Sequence, residues 1–388
     1  MLMGNQPLGN AVERREAYII LNLLPGIGPG KVQQLVSFFG SAEAIFSASE
    51  STLQRVPGIG AKLAAVLSRW EEYCTLDQEL RLAQSAGVYL LTQDDDSYPP
   101  LLRQIHDPPL CLYVRGDFAA LGKSRNSIAI VGSRHTTAYG RQMAAFLASG
   151  AVYHGWPVIS GLARGIDTAA HTATLQAGGC TIAVIGSGFC HLYPQENIPL
   201  AEQICNAGGA VISEFPMHYL PEKRSFPMRN RIIAGMSRGT IVVEAGLQSG
   251  SLITAAQAME QNRSVFAVPG RVDTPFAKGC HALLRDGARL IESFQDVVEE
   301  FSLLPDLQFK AAENSARERE AQPVTLQPLE KKIWDCLAEG ETAIDDLIAR
   351  LEEPPSSVLG CLLVLEMKQL VRQLPGKFVA RMPNRVVI

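Results

Sequence analysis

Between residues 126 and 300, short β-branched apolar runs alternate with stretches whose apolar residues recur at helical spacing. The runs are NSIAIV, PVIS, CTIAVI, AVIS, TIVVE, SVFAV and a short ARLI, with roughly 15 to 30 residues between neighbours. Strands separated by helices of that length pair in parallel, each helix crossing back over the sheet. The pattern therefore predicts an α/β domain, an extended Rossmann-like, doubly wound and mainly parallel sheet. Upstream, LLPGIGPGKVQQLVSFFG (23–40) and VPGIGAKLAAVLSRW (56–70) repeat one design, in which P-G-I-G is followed closely by a lysine and an apolar-periodic helix. Glycine admits the positive φ of a tight turn between helices, and the exposed N–H groups of the following helix suit an anion. This reads as a tandem helix-hairpin-helix-like module, which either contacts nucleic acid through Lys31 and Lys62 or serves only as helical packing. Downstream, periodicity lapses after 301, and three short helical patterns then precede VRQLPGKFVARM, two apolar-alternating arms around P-G-K. These boundaries predict a helical domain at 1–95, a Rossmann-like domain at 96–301, a linker at 302–325 and a winged-helix-like domain at 326–388.

Composition narrows the class. At 47% hydrophobic and 19% charged the chain is globular, and no apolar run reaches the length of a membrane span. The opening residues lack a basic segment followed by an apolar core, so a cytoplasmic protein is expected. Eight cysteines are scattered without a C-x-x-C, which argues for free thiols; in Cys190-His191 and Cys280-His281 adjacent side chains diverge, so no metal site is expected. The formal net charge is −4, and only the middle domain carries more Lys and Arg than Asp and Glu. A polyanion would thus need a local concentration of charge. KRSFPMRNR (223–231) is one, with four cations and a ring in nine residues.

The chemistry-bearing residues fall at strand ends. Gly132-Ser133-Arg134, Ser160-Gly161, Gly186-Ser187-Gly188 and Glu244-Ala245-Gly246 each follow a strand candidate, and Ser249 precedes a helix. In open parallel sheets the ligand crevice lies beyond the carboxyl ends of the strands, where small residues leave backbone N–H groups open to phosphate oxygens. Arg134 would add a fork of donors. The Gly186 turn is no dinucleotide fingerprint, since His191 occupies the third glycine position and the turn follows the third strand. Asp167 and His171 share a helical face and read as a helix-start acid with a packed histidine. Glu244 is either a catalytic base or a cap for the helix beginning at Gly250. In KRSFPMRNR, Pro227 suits a first helical turn, which would set Arg229, Asn230 and Arg231 against the helix dipole and call for an anion. Phe226 beside them offers either a stacking surface for a base or a core contact. In the binding reading the cations neutralise phosphates and the ring stacks a base, two separable duties.

Taken together, VGSR (131–134), SGLARGIDTAAH (160–171), GGCTIAVIGSG (178–188), YPQEN (193–197), SEFP (213–216), FPMRNRIIAGMS (226–237), VVEAGLQSGSLITA (242–255) and FAVPGR (266–271) resemble the DNA-processing protein A family, DprA or Smf. The resemblance spans most of residues 100–300. It implies an extended Rossmann-like domain that binds single-stranded DNA, dimerises, and loads the RecA recombinase in natural transformation, with no catalytic residues and no cofactor. By motif position the DNA pocket would comprise Arg134, Lys223, Phe226, Arg229, Asn230 and Arg231. His281 stands where the family pattern implies Asn. The alternative is a Rossmann-like hydrolase of nucleoside monophosphates with Glu244 as base, although SGSLITA replaces the P-G-G-x-G-T phosphate loop such enzymes carry. In the last domain the expected recognition helix, PPSSVLGCLLVLEMKQL, is mostly apolar and poorly suited to DNA.

Overall fold

A computed structural model describes residues 12–302, 326–351, 353–367, 370–374 and 378–381. The chain forms two compact units, Met1–Phe309 and Lys310–Ile388. The expected linker lies, but for residue 302, outside the described residues, as does the P-G-K of the last hairpin.

The first unit is built on nine strands: β1 (Tyr89–Thr92), β2 (Cys111–Gly116), β3 (Ile128–Val131), β4 (Val158–Ser160), β5 (Thr181–Val184), β6 (Ala210–Ser213), β7 (Gly239–Val242), β8 (Ser264–Ala267) and β9 (Arg289–Leu290). Their order across the sheet is β1-β2-β6-β5-β4-β3-β7-β8-β9. All seven strand candidates of the middle domain are present and mutually parallel. The sequence reading missed β1 and β2, which extend the sheet antiparallel beyond β6. β1 arises from the stretch read as helical, so that stretch also contributes to the large sheet.

Both faces of the sheet are covered, because period-two alternation of apolar residues serves two cores at once. Ile128, Ile130 and Ile241 pack against the helices Ala138–Tyr153 and Ile166–Gln176. Ala129, Val131 and Val242 face the opposite way, toward Ile232, Ile233, Ala255 and Ala258 of the helices Ser225–Gly235 and Gly250–Glu260. Burying each such Ile or Val contributes about 1.5–3 kcal/mol. The N-terminal helices have their own core around Ile20, Val32, Leu35, Ile45, Leu53 and Leu67. They are tied to the sheet region by Asn22 Nδ2, which donates to Glu214 O at 3.1 Å, and by Met217 N, which donates to Glu79 Oε1 at 2.8 Å. In the repeated turns Gly26 and Gly58 take φ of 77° and 80°, as the tandem hairpin requires. Lys31 spends its ammonium on Gly26 O of its own turn, at 2.8 Å.

The second unit has the helices Pro328–Cys336, Ile344–Leu351 and Pro355–Met367, and a small antiparallel sheet of β10 (Thr342–Ala343), β11 (Val371–Leu374) and β12 (Phe378–Arg381) in the order β10-β12-β11. Ile333, Leu347, Val358, Leu362, Val371 and Val379 form its core, giving a winged helix. Among the described residues no helix is long and apolar enough to cross a membrane.

Candidate nucleic-acid interface

The sheet changes winding direction at β3: β4 lies on one side and β7 on the other. Helices leaving those two strands depart to opposite faces, and the gap between them is the ligand crevice of a doubly wound sheet. A cavity of about 580 Å³ opens there. The turn after β3 is pinned across the gap by Ser133 N, which donates to Glu244 O at 2.7 Å. Gly165, at φ 79°, lets the Ile166–Gln176 helix begin against the Ser133 carbonyl, where any Cβ would collide.

Gly132, Ser133, Arg134, Lys223, Phe226, Arg229, Asn230 and Ser249 line this cavity, and Gly161 lines a slot beside it. Arg134 and Lys223 are exposed. The Arg134 guanidinium carbon lies 5.0 Å from the Phe226 ring centroid, a cation–π contact. Phe226 also meets Gly186 and, at 5.8 Å between centroids, Tyr193. Ser249 caps the Gly250–Glu260 helix, its hydroxyl accepting from Ser251 N.

The arginines of KRSFPMRNR divide. The helix starts at Ser225, two residues before the expected first-turn proline, so Arg229, Asn230 and Arg231 lie past its first turn. The dipole argument for an anion beside them therefore falls. Arg229 is buried; its Nη1 donates to Gly161 O at 2.5 Å and to Val184 O, joining the ends of β4 and β5. Gly161 has no Cβ because that guanidinium fills the space. Burial pulls the Arg229 pKa down to about 10, with Asp167 opposing the shift. Asp167, which accepts from Gly161 N at 3.1 Å and Ala163 N at 3.3 Å, has its own pKa raised by burial. Asn230 Nδ2 donates to Gly250 O at 3.3 Å. Arg231 does not reach the crevice: it grips Glu214 with both terminal nitrogens, at 3.2 and 2.5 Å, and Asp107 at 2.9 Å. Buried and held by two carboxylates, that guanidinium is turned away from any phosphate in the crevice.

Three further expectations are corrected. Ser160 is buried, donating to Ile130 O at 2.6 Å, and serves the sheet. Gly186, Ser187 and Gly188 line neither the crevice nor the slot beside it: Gly186 receives Phe226, Ser187 is buried, and Gly188 lies against the backbone of Pro216 and Met217. Glu244 caps the other helix. Its carboxylate accepts from Thr136 Oγ1 at 2.6 Å, Thr137 N at 2.9 Å and Thr137 Oγ1 at 2.6 Å, at the start of Ala138–Tyr153. His171 is a packed core residue, as expected. His281 Nε2 is 3.0 Å from Gly270 O, a polar contact despite the departure at that position. His135, Gln248, Pro275 and Phe276 also line the crevice and went unread. Loop residues without charge patterning carry no signal of where their loop folds.

Fold and crevice define a doubly wound α/β protein whose open site presents two exposed cations around a partly stacked ring. The family described as DNA recombination-mediator protein A matches residues 89–302; a DprA winged helix domain matches 317–377 and a SAM-like helix-hairpin-helix tandem matches 19–67. DNA processing protein DprA of Bacillus subtilis (strain 168) is 43% identical over 260 residues, 67% of this chain and 87% of that protein. Protein Smf of Synechocystis is 35% identical over 377 residues, 90% of this chain and 94% of that protein. The X-ray structure of DNA processing protein A from Streptococcus pneumoniae superposes with a TM-score of 0.65 at 34% identity, covering 75% of this chain and 99% of that one. The chain belongs to the DNA recombination-mediator protein A family, DprA/Smf.

Proposed function

We propose that the chain binds single-stranded DNA in the crevice between the β3 and β7 ends, and does so as a mediator rather than an enzyme. The observation that carries this reading is the Arg134 guanidinium over the Phe226 ring, beside the exposed Lys223. Cations paired with an accessible ring are what a strand of unpaired bases uses: phosphates meet charge and a base meets the stack. Membership in a recombination-mediator family supports the same role. Arg134 and Lys223 meet phosphates, and Gly250, at the start of the Gly250–Glu260 helix, offers a backbone donor. Arg229 and Asn230 act from behind, holding the strand ends and the Gly250 turn that shape the site. Glu244 supports the mediator reading over the hydrolase one, because three donors already engage its two oxygens.

The test is a titration of single- and double-stranded oligonucleotides of equal length at two salt concentrations. The single strand is expected to bind more tightly, with log affinity falling about 0.7 per phosphate contact against log salt. Equal or tighter duplex binding would overturn the proposal. At the level of the cell, the chain is proposed to act in the cytoplasm as a homodimer joined through the α/β unit, passing its strand to RecA in natural transformation. Sedimentation at micromolar concentration should show dimer, and RecA should assemble faster on strands carrying this protein than on strands coated by a general single-strand binder.

A further inference from the structure

We propose that a bound strand continues out of the crevice into a second phosphate subsite, a groove between the helices Ala138–Tyr153 and Ile166–Gln176; this rests on the crevice reading above. The groove holds about 640 Å³ and shares Arg134 and His135 with the crevice, so the two are continuous around that turn. Arg141 and Arg164 complete its walls, and no Asp or Glu lines it. Ala169, Thr172 and Ala173 make a floor too small to fill the space between the helices. With three arginines and no Phe, Tyr or Trp on its walls, the groove is equipped for phosphates more than for bases.

The partners that the fold gives the two outer arginines are solvent-exposed. Arg141 stands in the first turn of its helix, where a cation opposes the dipole, and its Nη1 donates to Thr136 O at 3.1 Å. That bond holds the guanidinium at the rim and leaves most of its donors over. Arg164 pairs with Glu196 in a solvent-exposed ion pair. Such pairs contribute little, so a phosphate can replace the carboxylate at little cost. A strand long enough to run past Arg134 therefore meets two further cations in sequence.

The experiment is anisotropy with oligothymidylates from about 4 to about 16 nucleotides, the span of known single-strand site sizes, on the full chain and on Arg141→Ala, Arg141→Lys, Thr172→Glu, Lys223→Ala and Phe226→Ala. Melting temperature checks that each variant is folded. The shortest oligonucleotides should bind Arg141→Ala as they bind the parent. Longer ones should lose about 0.7 of salt slope, which between about 1 M and about 0.15 M salt amounts to about fourfold in affinity. Arg141→Lys should keep the slope. Thr172→Glu, which removes no cation and places an anion on the floor, should reproduce the length-dependent loss if Arg141→Ala proves unstable. If Arg141→Ala and Thr172→Glu match the parent at every length while Phe226→Ala weakens all lengths, the groove is overturned and the crevice stands. A loss equal at every length also overturns it, since Arg141 would then serve the crevice itself. If Phe226→Ala and Lys223→Ala both bind like the parent throughout, the crevice reading fails and takes the groove with it.

Discussion

Covering one face of Phe226 at 5.0 Å, the guanidinium of Arg134 sits where a base would stack. The base must share the ring with that cation or take its place, so the duties read from the sequence as separable are coupled in the structure. Removing the ring costs a stack of roughly 1–3 kcal/mol, and it also frees Arg134 from its rest position. We therefore predict that Phe226→Ala weakens single-strand binding about fivefold or more. The losses of Phe226→Ala and Arg134→Ala should sum to more than the loss of the double variant, which a double-mutant cycle of titrations measures. Burial also decides His171. Thr181 Oγ1 donates to Val158 O and so accepts from His171 Nδ1–H at 2.7 Å, while Nε2 is buried without a partner. Burial, with Arg229 nearby, pulls the His171 pKa down to about 3. The unfolded chain then binds a proton that the folded chain refuses, between about pH 6.5 and about pH 3. Stability should fall with pH across that window by about 1.4 kcal/mol per unit from this group. Denaturant unfolding at pH 7 and pH 5 should show the loss in the parent and a smaller one in a folded His171→Asn. Residue type and spacing exposed all of these positions to view, yet Arg229 and Arg231 looked equivalent in the sequence. Only burial beside Asp167 in one case and Glu214 in the other separates them.

Helix starts were the less legible level. Pro227 is compatible with any position in a first turn, and the turn in fact begins at Ser225, whose hydroxyl reaches Gly186 O at 2.5 Å and Glu222 O at 2.8 Å. The contact to Gly186 is distant in sequence and could not be read from it. Glu244 shows the same limit. A carboxylate at a strand end fits a base, a cap for the next helix, or a cap for an earlier one; the outcome depends on β3 and β7 being neighbours, which brings Thr136 and Thr137 to it. We predict that Glu244→Ala lowers stability by about 1–3 kcal/mol by stranding the half-buried donors of Thr136 and Thr137. Melting should report that loss, and incubation of the parent with nucleoside monophosphates should release no free base. Release of base by the parent, lost in Glu244→Ala, would restore the hydrolase reading.

For the whole molecule, charge is placed by domain. The Pro355–Met367 helix of the winged-helix unit carries Glu366 and no Lys or Arg, and Leu359 and Val364 stand exposed on it. Phosphate contacts need cations. The isolated unit Lys310–Ile388 should therefore not bind duplex DNA in the micromolar range at physiological salt, and gel shift or anisotropy showing such binding would refute this. The sequence by itself determined the elements and their class, since seven β-branched runs at helix-spanning intervals admit one architecture and repeated P-G-I-G turns admit one module. It determined the membership as well, through motifs in a constant order. What it left to tertiary structure was adjacency. The antiparallel β1 and β2 lack turn signals at hairpin spacing: β1 pairs with β2 across an intervening segment, and β2 pairs with β6, far along the chain. Every strand-end turn looked equally able to line the mouth. The order β4-β3-β7 selected the turns that do, because only where neighbouring helices leave toward opposite faces does a parallel sheet leave a gap for a ligand.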